Sequence, residues 1–312
     1  MRVTIVGQDG PVTPTRRRRA SLAVGLLCFA ILAAACTAAH PVALKASAHP
    51  SGTAKHKVAH RTDVTRVRLR TGPPRVTLAR VRTADGSVIT IAAFQGPVEY
   101  VLHDGSQDPG RLAGPVLAGP KITGRGRSRL LAAFNGGFKM ASLAGGYEQE
   151  GHVARPIRAG LASLVIDRSG QARIGVWGRT VPVPGEAVYS VRQNLWPLVS
   201  GGRPTAESAR WWRWGGTIGH AEYTARSALG ENAAGDLMYA ASMSASPADL
   251  ATALASHGAV IAMELDINPE WVQLDAAGQP GGPLRAGIPG QHRPADQYLT
   301  GWTRDFIAVL AQ

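Results

Sequence analysis

Chemistry-bearing side chains gather in one stretch, Met263-Glu264-Leu265-Asp266-Ile267-Asn268-Pro269-Glu270-Trp271. Glu264 and Asp266 stand two residues apart, so on an extended strand both carboxylates point to one face. Flanked by Val260, Ile261, Met263, Leu265 and Ile267, they would be partly desolvated and close enough to push their pKa values apart, as acid/base pairs require. The same spacing also serves a strand end whose acids cap loops or pair with arginines.

Further polar groups sit beside other apolar runs. Arg129-Leu130-Leu131-Ala132-Ala133-Phe134 reads as a buried strand and leads into Asn135-Gly136-Gly137-Phe138. Paired glycines free the backbone for angles that other residues resist and let a ligand approach the main chain. Asn135 can hydrogen-bond a sugar hydroxyl or a developing oxyanion through an amide that does not titrate. Asn-Gly is equally the commonest hairpin turn, and that alternative stays open. Arg192, Gln193 and Asn194 interrupt an apolar stretch with three donors, suited to a polar ligand or to an internal network satisfying loop backbone. Arg226, ahead of Gly230, reads as a clamp for phosphate or carboxylate, or else as a solvated strand-end arginine. Trp211, Trp212 and Trp214 offer faces for sugar C–H surfaces or a cover for the core.

Positioning Glu264 and Asp266 takes a helix, a turn and a strand in that order. Ser246 caps a helix, Pro247 suits its first turn, and an Ala/Leu run carries it to His257. Gly258 then takes the left-handed stop, and residues 259–265 form an apolar run of strand length. Residues 76–82 and 88–92 flank Ala84-Asp85-Gly86-Ser87 as a hairpin, and 161–166 and 172–176 flank Asp167-Arg168-Ser169-Gly170 in the same form. Residues 64–70 alternate as another strand. About a dozen short strands with one clear helix predict an α+β class, a single mixed β-sheet-rich domain with few helices. There is no fixed-period repeat, P-loop, GxSxG, HExxH or dinucleotide fingerprint, and no cofactor is expected.

The net charge of +13 is unevenly placed. Residues 1–62 hold nine Lys/Arg and one Asp, residues 63–82 six Arg and one Asp, and residues 83–312 hold 19 charges of each sign. The larger part is therefore neutral and lacks the basic-aromatic interleaving of a base-stacking groove, so nucleic acid is not an expected partner. Residues 1–19 read as a basic cytoplasmic region, with arginines at 16–19. Residues 20–39 are uncharged and long enough for a signal peptide or a transmembrane anchor, which makes the membrane a partner and sends the following chain out of the cytoplasm. Ala33-Ala34-Ala35-Cys36 also resembles a lipoprotein site. Residues 40–62, rich in Ala, His, Lys, Pro and Ser, read as a flexible linker in which His49, His56 and His60 are solvated tail residues. Cys28 and Cys36 both lie in the apolar segment, which excludes disulfides, thiol nucleophiles and cysteine metal sites from the domain at 63–312.

Five pieces in order carry a resemblance. Ala132-Ala133-Phe134-Asn135-Gly136-Gly137-Phe138, Tyr147-Glu148-Gln149-Glu150-Gly151, Val191-Arg192-Gln193-Asn194-Leu195, Arg226-Ser227-Ala228-Leu229-Gly230 and Ala262-Met263-Glu264-Leu265-Asp266-Ile267-Asn268 together resemble the phosphodiester glycosidase family, in an exported actinobacterial branch. The family usually has Asp-Gly-Gly where this chain has Asp266-Ile267-Asn268, so the aspartate is retained and the glycine-lined approach is not. The resemblance implies cleavage of a glycosidic bond at a sugar 1-phosphodiester, in a carbohydrate or phosphoglycan of the envelope or the exterior. On side-chain chemistry, Asp266 and Glu264 are then the acid/base or nucleophile pair, Asn135 a transition-state donor and Arg226 the phosphate clamp. Gly136, Gly137, Arg192, Gln193, Asn194 and Asn268 would line the substrate, with Glu150 a reserve carboxylate. Asp266 and Asn268 could instead hold a divalent cation through oxygen ligands, although few further carboxylates accompany them. The alternative function is a wall-glycan-binding module that keeps the pocket without cutting.

Overall fold

The computed structural model describes residues 72–110, 116–216 and 219–312. The basic, apolar and linker regions at 1–62 and the strand expected at 64–70 lie outside the described residues. Among the described residues, no helix is long and apolar enough to cross a membrane.

Three antiparallel sheets carry the fold. The first runs in spatial order β1 (Arg75–Arg82), β2 (Val88–Gln95), β13 (Leu237–Ala245), β12 (Thr224–Asn232), β14 (Ala259–Glu264), β10 (Pro197–Ser200) and β11 (Arg203–Pro204). The second runs β16 (Leu284–Ala286), β15 (Leu274–Ala277), β4 (Leu130–Asn135), β17 (Phe306–Ala311) and β3 (Val98–His103). The third runs β6 (His152–Arg155), β5 (Tyr147–Gln149), β9 (Ser190–Gln193), β7 (Ala162–Ile166) and β8 (Ala172–Val176). The helices are α1 (Gly124–Arg129), α2 (Pro247–Ser256) and α3 (Gln297–Thr300). The domain is thus sheet-rich with few helices, as expected, and its strands are divided among three sheets. Among the described residues, parallel pairing is confined to the isolated bridges Asp108–Arg304 and Trp177–Val181.

Strand alternation builds two cores from the first sheet. Ala228, Met238, Ala240 and Ala262 turn to one face, where Leu250 and Leu254 of α2 pack on them. Leu229, Tyr239, Ala241 and Met263 turn to the other and meet Leu131, Phe134, Val309, Leu164 and Ile174 of the remaining sheets. Phe134 joins the first and second sheets, stacked on Phe94 at 5.5 Å and tilted against Tyr239 at 4.9 Å. Residues 225–230 of β12 and 262–264 of β14 are therefore buried on both faces, while Val260 near the start of β14 stays exposed. Tyr298 and Trp302 cover the outer face of the second sheet over Leu130, Ala133, Phe306 and Ala308.

Local chemistry sets the entry to β14. The Ser246 hydroxyl accepts from the Asp249 N–H while the Asp249 carboxylate accepts from the Ser246 N–H, a reciprocal cap that fixes the start of α2. Gly258 at φ +90° turns the chain straight into β14. The expected hairpins also form: β1 pairs β2 across Thr83–Ser87, and β7 pairs β8 in register from Ala162–Val176 to Ile166–Ala172. Two expectations shift. β14 stops at Glu264, so Asp266 lies past the strand instead of two places along it. Arg226 sits inside the nine-residue β12 instead of at a strand end.

Candidate active site

A pocket of about 490 Å³ opens where the chain leaves β4 and β14. Phe138, Lys139 and Ser142 line it after β4, Asp266, Ile267, Asn268 and Trp271 after β14, and Trp212, Arg213 and Gly215 ahead of β12. At Gly215 the chain has φ +91°, and a Cβ there would stand 2.7 Å from Ile267 Cδ1 and from Phe138 Cζ. Glycine is needed on both counts.

Asp266 is held from every side. Its N–H donates to Gly136 O at 3.0 Å, and its carbonyl accepts from Ser227 Oγ at 2.7 Å. Oδ1 accepts from the N–H groups of Ile267 (2.7 Å) and Asn268 (3.0 Å), and Oδ2 accepts from Arg304 Nη2 (3.2 Å). Burial pushes this carboxyl up to about 7; the Asn268 and Ile267 N–H groups oppose the rise, and the charge of Asp305 adds to it. Asn268 Oδ1 accepts from the Glu270 N–H at 2.9 Å, and its carbonyl takes the N–H groups of Trp271 and Val272. Asn268 thus shapes the turn that presents Trp271. A cation shared by Asp266 and Asn268 does not suit this arrangement, because the Arg304 guanidinium already occupies Oδ2.

The second carboxylate of the expected pair goes elsewhere. Glu264 is fully buried, its Oε1 2.9 Å from Arg226 Nη1, and it does not line the pocket. Burial raises its pKa to about 8 against the pull of Arg226. Arg226 is equally enclosed, donating also to Trp214 O (3.0 Å) and Ala245 O (3.1 Å), so its guanidinium faces protein, not solvent. The two residues face each other because strand alternation turns them into the same core, not the pocket mouth.

Asn135 and the polar run before Leu195 support the pocket from behind. Asn135 Oδ1 accepts from the Tyr239 hydroxyl (2.7 Å) and the Gln273 N–H (3.2 Å), and Nδ2 donates to Ser227 Oγ (2.8 Å), which in turn donates to Asp266 O. Its amide is already engaged on both ends. Arg192 pairs with Asp305 at 2.7 Å and donates to the carbonyls of Phe138 and Gln193. Gln193 bonds the Gly146 and Arg158 N–H groups, the Arg158 carbonyl and Ser163 Oγ. Asn194 ties Phe138 N–H to the carbonyl of Glu264 (2.8 Å). Gly136 and Gly137 are explained by this same pair of charges: a Cβ on Gly136 would lie 2.0 Å from Asp305 Oδ2, and one on Gly137 2.7 Å from Arg192 Cζ. Neither has a positive φ, so close packing, not an unusual backbone angle or a hairpin turn, calls for glycine there.

Glu150 is not brought to the pocket. Its carboxylate accepts from the Leu117 (2.7 Å) and Ala118 (2.9 Å) N–H groups beside a separate cavity of about 400 Å³. The three tryptophans divide: Trp214 is buried with Nε1 on Glu207 O (2.7 Å), whereas Trp212 is 62% exposed and lines the pocket, with Trp211 edge-on to it at 6.0 Å.

Three residues at or behind the pocket escape a reading of the sequence: Lys139, Arg304 and Asp305. Arg304 pairs with Asp108 as well as Asp266, donates to Gly137 O (3.2 Å), and lies over the Trp271 ring at 4.6 Å. The signal that could have found it is a charged pair, Arg304-Asp305, directly ahead of the fully buried run of β17. Charges at the mouth of a central strand have to be paired with something.

No protein-family model and no curated protein matches this chain. Solved structures resemble it at low identity. The catalytic domain of zebrafish N-acetylglucosamine-1-phosphodiester alpha-N-acetylglucosaminidase, auto-inhibited by its pro-peptide, is 13% identical over 77% of this chain and 83% of that one, with a TM-score of 0.48. A hypothetical protein from Synechocystis is 13% identical over 78% of this chain and 64% of that one, with a TM-score of 0.45. The likeness is one of coarse backbone shape and assigns neither family nor activity.

Proposed function

We propose that this domain is an exported hydrolase that splits the bond between a sugar and the phosphate of a sugar 1-phosphodiester, with Asp266 handling the proton. The observation that carries the reading is the single carboxylate in the pocket lining, Asp266, with a pKa near neutrality. An ordinary glycoside needs two carboxyl groups, one of them to protonate a poor leaving oxygen. A phosphomonoester leaves without that help, because its last proton has a pKa of roughly 6. One base poised near pH 7 is then sufficient.

In this scheme Asp266 takes a proton from a water whose oxygen bonds to the anomeric carbon. The carbon–oxygen bond to phosphate breaks, the phosphomonoester departs with the bonding pair, and Asp266 returns its proton to solvent. Trp212 supplies an exposed aromatic face of the kind that sugar rings pack on. Asn135, Ser227 and Arg304 act by fixing the Asp266 main chain and carboxylate instead of touching substrate.

One observation favours the second reading, a glycan-binding module without turnover. Both Asp266 oxygens already accept hydrogen bonds, Oδ1 two and Oδ2 one. The readings separate on a panel of nucleotide-diphosphate sugars, p-nitrophenyl phosphodiester sugars and simple p-nitrophenyl glycosides offered to the purified full-length chain. Release of free sugar from the phosphodiesters, with the simple glycosides intact, is the expected result. Saturable binding of the panel without any release would establish the binding module instead.

A further inference from the structure

Charge accounting around the pocket singles out one side chain. Three charged residues line it: Lys139, Arg213 and Asp266. Asp266 is matched by Arg304 at 3.2 Å, and Arg213 by Glu207 at 2.6 Å, with the Arg213 guanidinium also 4.8 Å from the Trp196 ring centre. The arginines behind the pocket are likewise matched, Arg192 by Asp305 and Arg226 by Glu264. Lys139 differs. It is exposed, no carboxylate among the described residues pairs with it, and its Nζ rests 4.6 Å from the Trp271 ring centre.

That placement is not the slack of a surface lysine. Lys139 begins the short 3-10 turn Met140–Ser142, where Ser142 Oγ donates to its carbonyl at 2.7 Å and the Met140 N–H donates to Asp108. Asp108 in turn pairs with Arg304, whose guanidinium lies on the same Trp271 ring at 4.6 Å. One indole thus carries two cations, one bound to Asp266 and one free to meet a ligand. A cation on an aromatic face keeps its donors available on the side turned away from the ring.

We infer that Lys139 is the anion-reading residue of the pocket: it binds the phosphate of a phosphorylated sugar, the task that sequence alone gives to Arg226. This rests on the proposed sugar-phosphodiester function and names the group that selects its substrate class. Three ammonium donors on a flexible stem suit a phosphate as a point charge, without the fixed fork of an arginine. Trp271 and the turn at 140–142 hold that charge over the approach to Asp266.

Binding of a panel of hexose 1-phosphates and of the parent hexoses, measured by calorimetry at low salt on the full-length chain, tests the assignment. The wild type is expected to prefer the 1-phosphates by about ten-fold or more, the scale of a charge-assisted hydrogen bond. Lys139→Met should erase the preference while still binding the hexoses, and Lys139→Arg should keep most of it. A preference that survives Lys139→Met overturns the assignment and leaves the sugar site standing. Equal wild-type binding of hexoses and their 1-phosphates does the same. No binding of either class overturns both this assignment and the function on which it rests. Lys139 is exposed and Lys139→Arg keeps its charge, so loss of folding does not obscure the comparison.

Discussion

Arg304 Nη2 lies 3.2 Å from Asp266 Oδ2, and the two residues come from different sheets, Asp266 just past β14 of the first and Arg304 just ahead of β17 of the second. The pair therefore ties the pocket to the junction of the first and second sheets. Replacing Arg304 with Gln removes the nearest cation from a buried carboxylate. The Asp266 pKa should rise from about 7 by about one unit or more. Carboxyl-carbon NMR titration of the labelled protein checks this, and an unmoved titration would show that Arg304 does not govern that charge.

Glu264 and Arg226 behave as a structural pair in this account. Above the Glu264 pKa of about 8, where the carboxylate is ionised, Glu264→Gln leaves a guanidinium buried without its counter-charge and should destabilise the fold by about 3 to 5 kcal/mol. The double replacement Glu264→Leu with Arg226→Met, which removes both charges, should recover most of that loss. Urea denaturation of the two variants gives the comparison. Additive losses in the double variant would contradict the pairing.

Stability should depend on pH with a definite sign. Asp266 and Asp275 are raised to about 7 and Glu264 to about 8, each chiefly by burial. A raised carboxyl holds its proton in the folded state after the unfolded chain has released it. Its contribution is complete below about pH 4 and is lost as pH climbs through 7 to 8. His103 works in the other direction: burial lowers it to about 4, so its contribution is lost as pH falls from about 6.5. Asp275, whose oxygens accept from Gln273 (2.6 Å) and Gln291 (2.9 Å), isolates one of the raised groups. Asp275→Asn should flatten the decline in melting temperature between pH 5 and 8 relative to wild type, and parallel curves would refute the assignment.

Gly215→Ala should both strain the backbone and drive a methyl into Ile267 and Phe138. A loss of about 1 to 3 kcal/mol is expected. Sugar affinity should fall with it, because both displaced side chains line the pocket. Thermal unfolding alongside calorimetry reads the two effects, and unchanged affinity in a destabilised variant would detach Gly215 from the site.

The sequence speaks clearly where local rules decide. The Ser246 cap, the Gly258 stop and the hairpin at Thr83–Ser87 all follow from side-chain chemistry within a few residues. Asp266 stands out for a related reason, as a carboxylate in an apolar neighbourhood. What stayed hidden depends on partners far along the chain. Arg226 and Glu264 are 38 residues apart and Arg192 and Asp305 are 113 apart, so nothing local tells that each guanidinium is matched inside the core. Gly136 and Gly137 are similar, since their need for glycine comes from the Arg192–Asp305 pair packed against them. Lys139 carries no motif at all and gains meaning only when Trp271 arrives beside it.

Hydrolysis of a sugar 1-phosphodiester by Asp266→Asn beside wild type, both shown folded by circular dichroism, tests Asp266 as the base. The wild type should release free sugar with a pH–rate inflection near 7, and kcat should fall by at least about 100-fold in the variant. A folded Asp266→Asn protein that turns over at the wild-type rate would contradict that role.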